Sequence, residues 1–152
     1  MGYVESVLQP GERVIHQGRL HWIIYAPAAV LLLAAAVCAW IGLALADLRI
    51  VFMAVAGLLL LAAIVAAAKA WFDRWITEIA VTDRRVIYKR GFIRRYTAEM
   101  NMEKVESVTV NQSVLGRVFD YGTIHIRGVG VGIEHLHGVA SPIEVRNTIV
   151  AR

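Results

Sequence analysis

Charge is missing from a long part of this chain. Between Trp22 and Ala46 there is no Asp, Glu, Lys or Arg, and after the polar break Asp47-Leu48-Arg49 the stretch Ile50 to Ala68 has none either. At about 1.5 Å per helical residue the first run reaches past the roughly 30 Å hydrocarbon core of a bilayer, and the second is just long enough. Runs this uniformly apolar argue against water-soluble core helices. The lack of a small-residue cleavage site argues against a signal peptide. No carboxylate or cation stands in the middle of either run, so an intramembrane proton path or ion site, and with it a transporter, is unsupported. The single cysteine, Cys38, lies inside the first run, which excludes an intramolecular disulfide. Catalytic patterns are missing too. Ser107, Ser113 and Ser141 have no nucleophile-elbow or base spacing around them, and Gly128-x-Gly130-x-Gly132 is not followed by a helix as a dinucleotide site requires. With no paired carboxylates and no phosphate-cradling loop, the chain reads as a non-enzyme without a cofactor.

What is present fits a membrane hairpin, with spans of about 22–46 and 50–69 within residues 22–72. Hydrophobic residues make up 58% of the chain, yet its C-terminal half is ordinary and charged, so the apolar content is concentrated in the two runs. Arg13 and Arg19 precede the first run, and Lys69, Arg74, Arg84, Arg85, Lys89 and Arg90 follow the second, whereas the connecting loop has only Arg49, offset by Asp47. Positive flanks on one side of an even number of spans predict both termini in the cytoplasm. The pI near 9.6 is read the same way, as a record of orientation, and not as a nucleic-acid signal. Trp22, Tyr25, Trp71, Phe72 and Trp75 stand at the inner interface and Trp40 near the outer one; Pro27 falls in the first helical turn, where a missing N–H does least harm. Small residues (Ala34–Ala36, Gly42, Gly57, Ala62, Ala63, Ala66–Ala68) let helix backbones approach closely and allow self-association.

Beyond Trp75 the period changes from helical to two. Strands are predicted at 76–82, 85–89, 92–99, 105–110, 123–127 and 133–137, with turns at Asp83-Arg84 and Arg90-Gly91 and a short helical turn at 113–119. Ser141-Pro142-Ile143-Glu144 predicts a closing helix, with Ser141 as N-cap, Pro142 at the first helical position and Glu144 three residues after the cap. Upstream, residues 1–21 form an N-terminal segment in which Glu12 to Arg19 reads as an extra strand. The fold class is therefore membrane α+β: a two-helix hairpin, then an antiparallel β-sandwich or open barrel over residues 75–152, capped by a C-terminal helix.

Several motifs in one order carry a family likeness. They are Glu78-Ile79-Ala80-Val81-Thr82-Asp83-Arg84-Arg85-Val86-Ile87, Lys104-Val105-Glu106-Ser107-Val108, Gln112-Ser113-Val114-Leu115-Gly116-Arg117, Tyr121-Gly122-Thr123-Ile124 and Pro142-Ile143-Glu144-Val145-Arg146. Together with Leu8-Gln9-Pro10-Gly11-Glu12 and Arg19-Leu20-His21-Trp22 they resemble the bacterial pleckstrin-homology-like domain, second family, in its small two-span members. The resemblance implies a PH-like fold tethered to the cytoplasmic membrane and implies no reaction.

Two clusters are candidate binding residues. Lys89, Arg90, Arg94 and Arg95 surround the turn at Gly91 and suit anionic lipid headgroups, at about 1 kcal/mol per basic residue near the surface, a reading less favoured than a solvated hairpin tip kept basic by topology. If the hairpin centred on Gly130 pairs symmetrically, His125, His135 and His137 share one face and Ile124, Ile126 and Leu136 the other; the three imidazoles are the metal candidates, less favoured than a solvated polar face. The functional expectation is a PH-like binding or scaffolding module at the membrane. Its partner is a protein or a second copy of the chain, not nucleic acid, and the alternative is a sensor of anionic lipid or envelope stress.

Overall fold

The computed structural model describes residues 3–91, 96–129 and 133–151. It divides into two compact units, the hairpin Trp22–Phe72 and a second unit that joins the residues up to His21 with those from Asp73 onward.

In the hairpin a 3-10 turn, Trp22–Tyr25, leads into helix α2, Ala26–Ala44; a second, Ala46–Leu48, carries the polar break; and α3 runs over Arg49–Ile76. (Helix α1, Tyr3–Val7, precedes them.) Both helices are long and apolar enough to cross a membrane. Their buried residues recur every seven positions and are all small: Ala28, Ala35 and Gly42 in α2, Ala56, Ala63 and Ala70 in α3. Leucines and valines point outward, which inverts the pattern of a soluble protein and suits a lipid solvent. At Gly42 a Cβ would stand 3.0 Å from the Phe52 Cβ, so the approach near the loop depends on the missing side chain.

The other unit is a sandwich of two antiparallel sheets. Strands β1 (Val14–Gly18), β2 (Glu78–Thr82), β3 (Arg85–Arg90) and β4 (Tyr96–Asn101) form the first in sequence order, and β5 (Val105–Asn111), β6 (Tyr121–Gly128) and β7 (Ile133–Ala140) the second. Helix α4, Val114–Val118, lies between β5 and β6, and α5, Pro142–Val150, closes the chain. Alternation explains the core. Ile79, Val81, Val86, Tyr88 and Met100 of one sheet meet Ile124, Ile126, Leu136 and Val139 of the other, with Val145 and Ile149 of α5. The opposite face of the first sheet is covered as well: Val4 of α1 packs on Ala80 and Ile87.

The strand expected at 12–19 is β1, and it is integral to the sandwich. It pairs antiparallel with β2 although the whole hairpin intervenes in sequence. Past its end, Leu20 bridges Val139, His21 N–H donates to Gly138 O and Ala140 N–H to Arg19 O, so the two sheets are stitched together at that corner. At the other corner the 3-10 turn Met102–Lys104 carries the chain from β4 into β5.

One local expectation is corrected. Ser141 precedes α5, with Pro142 in its first turn, but the serine adopts φ +46° and its side chain caps nothing. Its hydroxyl donates instead to Asp120 Oδ2 at 2.6 Å.

Candidate functional site

The segment ahead of the hairpin is latched to the turn between β2 and β3 by charge. Glu12, whose side chain is wholly buried, receives the Arg85 guanidinium in two bonds, Nε to Oε1 at 3.0 Å and Nη2 to Oε2 at 2.9 Å. The Gln9 N–H donates to Oε2 at 2.9 Å and the Thr82 hydroxyl lies 2.7 Å from Oε1. Arg85 Nη2 also reaches Val7 O, and Nη1 reaches Glu99 Oε2 at 2.6 Å. Burial by itself would raise the Glu12 carboxyl, but the bonds from Arg85, Gln9 and Thr82 and the Arg85 charge overcome it and hold the group at about 2. Asp83 adds a backbone clasp, its carboxylate accepting from Arg13 N–H and its own N–H donating to Arg13 O, both at 3.0 Å. The sequence Thr82-Asp83-Arg84-Arg85 is thus the lock for residues 7–13. Sequence reasoning missed this pairing, because nothing local links Glu12 to a partner 73 positions away.

Beside this lock lies a groove of about 850 Å³. One wall is the turn Asp83–Arg85 with Asn101 and Met102, another is β5 from Val105 to Val108, and Ile149 and Val150 of α5 line it as well. Its rim mixes Asp83, Glu103 and Glu106 with Arg84, while Arg85 is already engaged, so the groove is neither strongly cationic nor purely apolar. Among the described residues β5 is hydrogen-bonded to β6 alone, and its other edge carries no strand. Glu106, Ser107, Thr109 and Asn111 along it are exposed. An extended backbone alongside such an edge finds N–H and C=O groups to pair with and a hollow for alternate side chains.

The basic residues singled out from the sequence are placed differently from one another. Lys89 sits opposite Glu78 in the β2–β3 register and pairs with it at 3.6 Å. Arg90, the next residue, falls on the other face of β3, at the rim of the core face that Tyr88 shares. Burial pushes the Tyr88 hydroxyl up, and Arg90 pulls against that. Arg94 and Arg95 lie outside the described residues.

The histidine reading rests on register. Ile124, Ile126 and Leu136 are fully buried on one face as alternation requires. The β6–β7 pairing is not the uniform one assumed: the register shifts between Gly122 and Ile124 and again between Ile124 and Ile126. His125 is half-buried, and His137 is exposed with its Nδ1 3.2 Å from the Thr123 hydroxyl, while the side chain of His135 lies outside the described residues. Among the described residues no group of three His, Cys, Asp or Glu side chains is arranged to hold a metal ion.

A four-stranded sheet, a three-stranded sheet and a C-terminal helix in this order make a PH-like architecture, and the family model described as Bacterial PH domain matches residues 22–151. The chain belongs to that family. No curated protein matches it, and no solved structure does. PH domains are in general binding modules rather than enzymes, and membership of the bacterial PH family carries that coarse reading to this chain. The family match begins at Trp22, so β1 and Glu12, which complete the sandwich and its lock, stand ahead of it.

Proposed function

We propose that this bacterial PH protein is a binding or scaffolding module tethered to the cytoplasmic face of the inner membrane by its hairpin, with both termini in the cytoplasm, and that it engages a protein segment, from a partner or a second copy, along β5. The observation that carries this reading is the groove of about 850 Å³ beside a strand edge that no other strand pairs among the described residues. Strand addition needs an open edge with room beside it, and the mixed rim of Asp83, Arg84, Glu103 and Glu106 suits a peptide better than a phosphate-rich surface. Tethering is supported by the charge-free runs 22–46 and 50–68, which lie in two helices long and apolar enough to cross a membrane, and by the basic residues flanking those runs.

Cross-linked purification from native membranes tests it, comparing the full chain with a version ending after Arg74. A protein recovered only with the full chain supports the module. Equal recovery with both assigns binding to the hairpin and contradicts it.

A second reading, an anionic-lipid sensor built on Lys89, Arg90, Arg94 and Arg95, draws on the exposed Arg90 at the end of β3. The Lys89–Glu78 pair weighs against it, since that cation is already neutralised. Flotation of the full protein with the double substitution Arg94→Glu and Arg95→Glu does not bear on membrane residence, which the hairpin supplies. Protease accessibility of the sandwich in liposomes with and without anionic lipid does: a difference abolished by the substitutions favours the lipid reading.

A further inference from the structure

Helix α4 is built to be held still while showing apolar side chains to the outside. Two polar neighbours, Gln112 and Ser113, are spent on holding it. Ser113 Oγ accepts from Gly116 N–H at 3.0 Å, and Gln112 Nε2 donates to Gly116 O and Tyr121 O at 3.4 and 3.3 Å. Gly116 lies so close to β6 that a Cβ would stand 2.6 Å from Tyr121 O, so only glycine lets the helix lie flat there. The side chains left facing out are Val114, Leu115 and Val118, which are 79%, 61% and 71% exposed, with Arg117 among them. A fixed, exposed cluster of aliphatic residues on a five-residue helix has no role in the core, which is complete without it.

Its position supplies the occupant. The chain leaves the sandwich for the apolar run at His21, whose ring stacks on Tyr121 at 5.4 Å between centroids, and Tyr121 is the residue on which α4 is pinned. His21 N–H is bonded to Gly138 O and Arg19 O to Ala140 N–H, while Asp120, at the end of α4, takes the Ser141 hydroxyl and its carbonyl takes the Ser141 N–H. The point of return lies beside the point of departure: Arg74 and Trp75 line one hollow with Gly18 and Arg19. Burial holds the His21 imidazole below its ordinary value, with Asp120 raising it and Arg74 lowering it. From these placements within the sandwich, and resting on the proposed membrane hairpin, we infer that α4 is a third membrane contact that seats Val114, Leu115 and Val118 in the headgroup–acyl boundary beside the points where the chain enters and leaves the bilayer. Aliphatic side chains around an arginine are the composition such a boundary accepts, the apolar groups below and the guanidinium at headgroup level.

The test uses the full chain in lipid nanodiscs or liposomes, in a Cys38→Ala background, with an environment-sensitive fluorophore placed singly at Leu115→Cys, Val118→Cys, Leu58→Cys in the middle of α3, or Glu106→Cys on β5. Lipid-borne quenchers of graded depth report contact. The expected result is a blue shift and shallow-depth quenching at residues 115 and 118, deep quenching at 58 and neither at 106. Quenching at 58 without quenching at either α4 position overturns the inference while leaving the hairpin in the membrane. No quenching at 58 removes the membrane reading itself and the inference with it. Shielding of 115 and 118 from aqueous iodide that disappears on dilution into excess lipid assigns the face to a second copy and also overturns it.

Discussion

The hairpin and the sandwich solve the same problem, holding a chain together, with opposite materials. In α2 and α3 the buried residues are the smallest ones, spaced by seven, and the large aliphatic side chains face out. In the sandwich the large aliphatic side chains are inside, and its most buried charged contact, Glu12 with Arg85, spans 73 positions. The hairpin is organised by local spacing, whereas the sandwich needs residues from both sides of the hairpin. The PH-like module is therefore not a domain appended after two helices. Its first strand precedes them, and the hairpin leaves from the connection between β1 and β2.

This contrast can be broken at several points. The largest effect is expected at the lock. Arg85→Ala leaves the buried Glu12 carboxylate without its cation, and the sandwich should lose about 3–5 kcal/mol while the hairpin is unaffected. Denaturant unfolding of the full chain in detergent, followed by hydrogen exchange resolved to each unit, reads both. Acid offers the same test without a substitution. The Glu12 carboxyl is depressed in the folded state, so its contribution is fully present above the ordinary carboxylate value and is lost as the pH falls through about 2. The sandwich midpoint should decline across that window, and Glu12→Gln should be less stable at neutral pH and flatter through it.

A smaller loss, about 1–3 kcal/mol, is expected for Gly116→Ala, because the added carbon meets backbone at 2.6 Å and cannot be accommodated by a rotamer change. Thermal unfolding of the sandwich is the readout. In the hairpin, Ala35→Leu should separate the helices at a cost of about 1 kcal/mol, visible as a lost cross-link between cysteines on α2 and α3, while Leu61→Ala on the outward face changes little. The smallest effect belongs to Ser141→Gly, within about 0.5 kcal/mol, since relief of the positive φ offsets the lost bond to Asp120. A loss of about 1 kcal/mol or more would mean that the bond to Asp120 outweighs the relief of the positive φ.

How much of this was legible in the sequence follows from the same contrast. The two long helices could be read from the missing charges of 22–46 and 50–68, and most strands from alternation, because both signals sit within a few residues. The groove could not, since it is assembled from residues as distant as Asp83, Ser107 and Ile149. The place of Lys89 depended on register, which sets it against Glu78, and the paired histidine strands carry bulges that no symmetric hairpin predicts. Ser141 had the right sequence for a cap, yet Asp120, 21 positions earlier, takes its hydroxyl. Exposed α4 was readable as a helical turn at 113–119, but its outward face emerges only once Gly116 is seen pressed against Tyr121.

The most direct measurement is site-specific photo-cross-linking of the full chain in native membranes, with the reactive group at Ser107 on the open edge of β5 and, as control, at Thr97 on β4. A discrete protein adduct is expected from Ser107, from a partner or a second copy, and none from Thr97. Adducts to lipid alone at Ser107, or a protein adduct at Thr97 without one at Ser107, would contradict binding along β5.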